Sequence, residues 1–295
     1  MRSFGDSLID ADRNGVAIGH FNISDLVTLK AVVEAAREVG VPVSVGLSEG
    51  ERRFVGTRQA AALVESIREE HNQLIYLNAD HTHSLNSALE AAQAGFDSVV
   101  FDRSELPLEQ NIRETREAVE ALKTVNPDII VEGEIGYIGT GSEIHDETPR
   151  DLALTTPDEA REFVQATRVD VLSPAVGNMH GLLKSMLAGK AEKRLNIGLI
   201  REIKRAAKVF MTLHGGSGTN VPDLENAIEA GITVVHVNTD VRVAWRRGME
   251  DALSRNTTEV VPYKLMPNAL EAVRKVVLDR LRVFSSRRKP LAQSV

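Results

Sequence analysis

Short apolar runs alternate with longer amphipathic ones along almost the whole chain, and the alternation repeats eight times. Residues 16–21, 42–47, 74–79, 98–101, 129–134, 169–173, 209–213 and 233–237 read as strands. Residues 26–39, 57–69, 86–94, 111–123, 157–167, 197–207, 222–230 and 241–254 read as helices. In the first of these helices Leu29, Val32, Val33 and Ala36 recur at helical spacing and form one buried stripe. Ser24 is the expected cap of that helix, and Thr156-Pro157-Asp158-Glu159 sets a cap, a first-turn proline and acids in order. Gly40, Gly95 and Gly231 are expected to end helices just before strands.

Eight strand–helix pairs in 295 residues favour a closed (β/α)8 (TIM) barrel over a doubly wound sheet. A ninth helical stretch, 268–284, is expected to pack outside the barrel or against another subunit. No Pro/Gly/Ser-rich linker interrupts the pattern, so 1–295 reads as one domain. Residues 137–150 mix glycines and acids without periodicity and read as a mobile loop after the fifth strand. Residues 184–194 form a basic insertion, either a solvated helix or a lid facing phosphate.

With 42% apolar and 26% charged residues the chain can bury a large core under a solvated surface. Its net charge of -7 argues against nucleic acid or an anionic membrane as the main partner, though not against a phosphorylated substrate at a locally positive site. The absence of cysteine excludes disulfides and thiolate metal sites. Acids near the start stand where a signal peptide needs an apolar stretch, and no run reaches membrane-span length. A soluble cytoplasmic protein is expected.

Three histidines close apolar runs beside glycine or an acid: His81 in Asn-Ala-Asp-His, His180 in Asn-Met-His-Gly and His214 in Leu-His-Gly-Gly-Ser-Gly. Barrel sites form at the C-terminal strand ends, where these three can meet. Three neutral imidazoles suit zinc and leave a coordination position open for chemistry. Asp80, beside His81, can act as an acid/base or orient a ligand imidazole. Glu132 and Glu134 share one strand face, and burying two acids there is costly without a cation. The stretch from His214 to Thr219, joined by Val237-Asn238-Thr239-Asp240, is either a phosphate cradle or a plain glycine turn and helix cap.

These residues resemble the class II, metal-dependent ketose-bisphosphate aldolases, from about Val16 to Ser286. The anchors are Ala17-Ile18-Gly19-His20-Phe21-Asn22, Leu47-Ser48-Glu49-Gly50, Asn78-Ala79-Asp80-His81, Glu132-Gly133-Glu134-Ile135-Gly136, Gly177-Asn178-Met179-His180-Gly181 and His214-Gly215-Gly216-Ser217-Gly218. The resemblance implies His81, His180 and His214 as ligands of a catalytic Zn2+, with Glu134 an acid that approaches it. It implies Asp80 as the acid/base at the carbon–carbon bond, and Asn22 and Ser48 as residues holding the three-carbon donor. Gly181, Gly215, Ser217 and Thr239 would cradle the donor's phosphate, where the family often also binds Na+ or K+. Glu143, on a loop slightly longer than the family's, is the candidate base for the donor's proton.

On the eighth strand His236 stands in place of an asparagine that contacts substrate, and Asn238 in place of an acid. On the first, His20 stands where a small residue is common. His20 and His236 are expected to lie together and reshape the donor or phosphate site, or else to be two packed histidines without effect on substrate. The implied reaction is reversible cleavage of fructose 1,6-bisphosphate to dihydroxyacetone phosphate and glyceraldehyde 3-phosphate. The alternatives are aldol cleavage of another ketose, such as tagatose bisphosphate or a deoxy-sugar phosphate, a metal-dependent hydrolase, or a non-catalytic binding barrel. The resemblance also implies a homodimer or homotetramer.

Overall fold

A computed structural model describes residues 2–139, 141–146, 153–187 and 191–286. Eight parallel strands close into a barrel: β1 (Ile18–Asn22), β2 (Val43–Leu47), β3 (Ile75–Thr82), β4 (Ser98–Phe101), β5 (Ile130–Ile135), β6 (Val171–Pro174), β7 (Phe210–Leu213) and β8 (Ile232–Val237). They follow one another around the ring in chain order, and β8 pairs with β1 in the register His20 to His236. The helices are α1 (Phe4–Asn14), α2 (Leu26–Val39), α3 (Glu49–Val55), α4 (Thr57–His71), α5 (Leu85–Ala94), α6 (Leu108–Val125), α7 (Pro157–Thr167), α8 (Lys184–Leu187), α9 (Ile197–Ala207), α10 (Val221–Glu229), α11 (Thr239–Arg255) and α12 (Pro262–Phe284). Among the described residues no helix is long and apolar enough to cross a membrane.

Strand alternation sorts the side chains into layers. Outward residues such as Phe21, Val43, Val45, Leu77, Val99, Val131 and Val235 join the helices' apolar stripes in one core. Inside, Ile18, Tyr76, Ile130 and Val234 form an apolar floor, closed from below by Phe4, Leu8 and Ala11 of α1. Ser7 and Tyr76 share a hydrogen bond of 2.6 Å across that closure. Two residues further along the strands the interior turns polar, and the site begins there.

Several local expectations change. Asp25, not Ser24, caps α2, because its carboxylate accepts from the Thr28 amide at 2.7 Å. Gly40 and Gly95 end their helices in left-handed geometry as read, whereas α10 ends at Ala230 and Gly231 is the residue beyond. Thr156 and Glu159 form the reciprocal cap expected of α7. The last helix starts at Pro262, earlier than its apolar periodicity indicated, and packs outside the barrel between α2 and α11. That fit is close: a Cβ on Gly248 would stand 2.5 Å from the Ala269 Cα. Within 137–150, Ile144–His145 pair with Leu182–Leu183 as a two-stranded sheet, and the segment 184–194 opens with α8, while 140, 147–152 and 188–190 lie outside the described residues.

Candidate active site

The floor residues continue upward as His20, Asn78, Glu132, Thr212 and His236, then as Asn22, Asp80, Glu134, His214 and Asn238 at the rim. Strict alternation would turn His81 outward, away from Asp80. Instead β3 takes a left-handed step at His81, with φ of 39°, unusual for a residue with a side chain. That step brings the imidazole round to the same mouth as the Asp80 carboxylate.

His81, His180 and His214 converge, each offering one ring nitrogen, with the three nitrogens within 4.8 Å of one another. Each ring is held from behind through its other nitrogen. His81 Nδ1 donates to Asp102 at 2.8 Å, His180 Nδ1 to the Gly139 carbonyl at 2.7 Å, and His214 Nε2 to Glu132 at 2.7 Å. The facing atoms, Nε2 of His81 and Nδ1 of His214, meet at 3.1 Å and, with both rings neutral, present two lone pairs to each other. Two acceptors aimed at one another are satisfied by a shared cation, and a ligand imidazole backed by a carboxylate or carbonyl is the usual support of a metal site. The residues present therefore fit a divalent metal.

The charge distribution points the same way. Burial works against the imidazolium at both His81 and His214. Asp80, Asp102 and Glu134 nonetheless push His81 well above the usual range, and Glu134 and Glu132 raise His214. His180, with burial dominant, falls to about 3 and stays neutral, the form a metal needs. Burial and the nearby Asp102 charge push Glu134 up to about 8. Its Oε2 is buried without a hydrogen-bond partner, 3.4 Å from His214 Nδ1 and 3.7 Å from His81 Nδ1. Four acidic side chains, Asp80, Asp102, Glu132 and Glu134, thus surround the three imidazoles and favour positive charge among them.

Asp80 is 3% exposed and anchored on one side only. Its Oδ2 accepts from the Asn22 amide at 2.8 Å. Its Oδ1 has no hydrogen-bond partner and stands 3.4 Å from His236 Nδ1 and 3.8 Å from His81 Nε2. Asn22 is itself steadied by Glu51 at 2.9 Å.

A cavity lies over these groups, lined by Asn22, Asp80, the three histidines, Ser142, Gly181, Gly215, Ser217, His236, Asn238 and Thr239. Gly181 and Gly215 sit at φ of 71° and 66°, and any side chain on Gly215 would strike the Met179 carbonyl. The N-terminus of α11, at Thr239, opens onto the same space, and free helix-end N–H groups favour an anion. A second, larger cavity adjoins it, sharing Asp80, His81, Ser142, His180 and Asn238 and adding Ser48, Arg53, Glu143 and Arg242.

Not every expected residue reaches the inner cavity. Ser48 lines the outer one and caps α3 in a reciprocal pair with Glu51. Glu143 is exposed on the outer wall, where its carbonyl accepts from the Leu182 amide at 2.9 Å. His20 and His236 do lie together, with stacked rings 3.5 Å apart, and His236 also stacks on His214 at 4.1 Å. His236 lines the cavity; His20 stands behind it, its Nε2 3.1 Å from the Asn78 amide nitrogen. Gly46 makes that possible, since a Cβ there would lie 2.2 Å from His20 Nε2.

Asp102, Gly139, Glu51 and Arg242 were missed from the sequence. Asp102 is an acid directly after β4, the same strand-end signal that marked the histidines. Arg242 ties α11 to Glu51 at 2.7 Å and to the Ser142 carbonyl at 3.1 Å, so it fastens the loop beside Glu143.

The family model described as Fructose-bisphosphate aldolase class-II matches residues 3–289. A fructose-bisphosphate aldolase of Staphylococcus aureus (strain Mu50 / ATCC 700699) is 32% identical over 287 residues, covering 96% of this chain and 97% of that protein. A probable fructose-bisphosphate aldolase of Bacillus subtilis (strain 168) is 31% identical over the same length and coverage. Among solved structures, the YdjI aldolase from Escherichia coli K12 superposes with a TM-score of 0.82 at 27% identity, covering 98% of this chain and 99% of that one. With model, relatives and barrel in agreement over nearly the whole length, the chain belongs to the class II fructose-bisphosphate aldolase family and is an aldolase.

Proposed function

We propose that the protein cleaves fructose 1,6-bisphosphate reversibly to dihydroxyacetone phosphate and glyceraldehyde 3-phosphate, with zinc as its metal. The observation that carries this reading is the buried Asp80 carboxylate, held by Asn22 through one oxygen and unpartnered at the other, beside three converging imidazoles. His81, His180 and His214 would hold the metal, with Glu134 close by as a further acid. A divalent ion there supplies the positive charge that polarises the donor's carbonyl and stabilises the charge left on its oxygens.

The chain's own residues account for the rest. Asn22 fixes the Asp80 carboxylate so that Oδ1 faces the cavity. Oδ1 takes the proton from the hydroxyl of the carbon that becomes the aldehyde and returns it in the reverse direction. Gly181, Gly215, Ser217 and Thr239 offer backbone and hydroxyl donors to the donor's phosphate. Asn238 stands on the wall that the two cavities share, and Ser48, in the outer one, offers its hydroxyl to the three-carbon donor. Glu143, on the wall of the outer cavity beside the loop that Arg242 fastens, exchanges the proton at the donor carbon. No lysine Schiff base enters the scheme.

A second reading is aldol cleavage of a different ketose, such as tagatose bisphosphate or a deoxy-sugar phosphate. It is favoured by the His20–His236 stack, which puts an imidazole at the donor end of the cavity. A coupled assay for dihydroxyacetone phosphate across fructose, tagatose and deoxy-sugar phosphates separates the two. Chelation is expected to abolish turnover, and borohydride with substrate should not trap the protein. Asp80→Ala should keep its metal while kcat falls by about 10²–10⁴-fold. Loss of metal from that variant, or turnover close to wild type, would remove Asp80 from the role. We also infer a homodimer or homotetramer of cytoplasmic location, with exposed Phe54, Val260 and Tyr263 as candidate contacts, to be checked by light scattering.

A further inference from the structure

Lys193 is a buried charge that the aldol chemistry leaves without a task. It is 3% exposed, although it lies in the basic segment that leads to α9. Its Nζ donates to the carbonyl of Met179 at 2.7 Å and to the carbonyl of Gly215 at 2.9 Å. Met179 directly precedes His180, and Gly215 directly follows His214. The two histidine loops therefore meet at one ammonium group. They are also in close backbone contact, since a Cβ on Gly215 would lie 2.2 Å from the Met179 oxygen. A backbone bridge between Lys193 and Thr219 holds the lysine against the end of the glycine-rich loop.

Burying an ammonium is costly unless its donors are satisfied, and a carboxylate is the usual partner. Here the partners are peptide oxygens. The acid that acts on Lys193, Asp240, is itself paired with Arg280 at 2.9 Å. Carbonyl oxygens converging on one point are what a hard cation takes as ligands. The ammonium occupies that point with a charge of the same sign and with N–H groups aimed at the same oxygens.

We propose that Lys193 is a tethered monovalent cation: it clamps the Met179 and Gly215 carbonyls, positions the His180 and His214 loops with their phosphate-binding backbone, and replaces any free sodium or potassium ion there. Burial lowers the ammonium's pKa to about 7, with Asp240 acting against that fall and Arg280 adding to it. An anion in the adjoining cavity would help the group keep its proton. Lys193 is a positioning residue here, since it is not among the residues lining that cavity. The kinetic arm of the test rests on the proposed reaction; the unfolding arm does not.

The test is thermal unfolding and steady-state kinetics at constant ionic strength, with the salt's cation varied among K+, Na+ and tetramethylammonium. The wild-type protein should show the same midpoint and the same KM in all three. Lys193→Ala vacates the position. Its midpoint should rise by several degrees in K+ or Na+ over tetramethylammonium, and its KM, raised on the order of tenfold in tetramethylammonium, should recover with K+ or Na+. Lys193→Met fills the space without donors and should show the loss without the recovery. A wild-type midpoint that depends on K+ overturns the proposal. So does a Lys193→Ala defect that no monovalent cation reverses, because the lysine would then only fill space, and so do two variants that behave like wild type. The unfolding measurement needs no turnover, so a wrong substrate and a wrong role for Lys193 give different results.

Discussion

The residues that suit the three imidazoles to a metal stand behind them. Glu132 accepts from His214 Nε2 through one oxygen and from the Thr212 hydroxyl, at 2.8 Å, through the other. A carboxylate in that place forces the proton onto Nε2 and leaves Nδ1 free for a metal. Glu132→Gln keeps the shape but can present an N–H instead, which favours the opposite tautomer. Zinc affinity, measured by competition with a chelating dye, is expected to fall about 10–100-fold. An unchanged affinity would mean that something other than Glu132 sets the tautomer. The histidines and Asp80 were legible in the sequence because each sits at a strand end beside glycine or an acid. Their supports were not, because pairings such as His214 with Glu132, 82 positions apart, exist only once β5 and β7 have folded onto either side of β6.

At the scale of elements, the eightfold alternation located all eight barrel strands to within a few residues, since a buried parallel strand needs an apolar run and little else. Elements with weak periodicity were harder to read. α1 went unread, and α3, Glu-Gly-Glu-Arg-Arg-Phe-Val, has almost no apolar stripe and is defined by the Ser48–Glu51 cap. Alternation also explains how β1 and β2 accommodate an unusual ring. His20 points inward, and Gly46 on the neighbouring strand gives it room. Gly46→Ala should drive the ring from its stack with His236 and cost about 1–3 kcal/mol in urea unfolding. In a His20→Ala background the same change should cost much less, and equal costs in both backgrounds would show that the ring is not what Gly46 accommodates.

At the scale of the molecule, α1 seals the floor of the barrel with Phe4 and Leu8, so the interior has one mouth. The cavity over the three histidines and the glycine-rich loop lies inward, and the larger one opens outward past Asp80 and Asn238. A closed floor turns this arrangement into a queue. The fragment in the inner chamber cannot leave while the other blocks the mouth, so the aldehyde should depart first and the phosphorylated ketone second. In the cleavage direction, dihydroxyacetone phosphate should then inhibit competitively against the ketose and the aldehyde noncompetitively. Competitive inhibition by both would mean that the fragments leave independently. A helix at the far end of the barrel, remote from every reacting atom, would thus set the sequence in which the products are released.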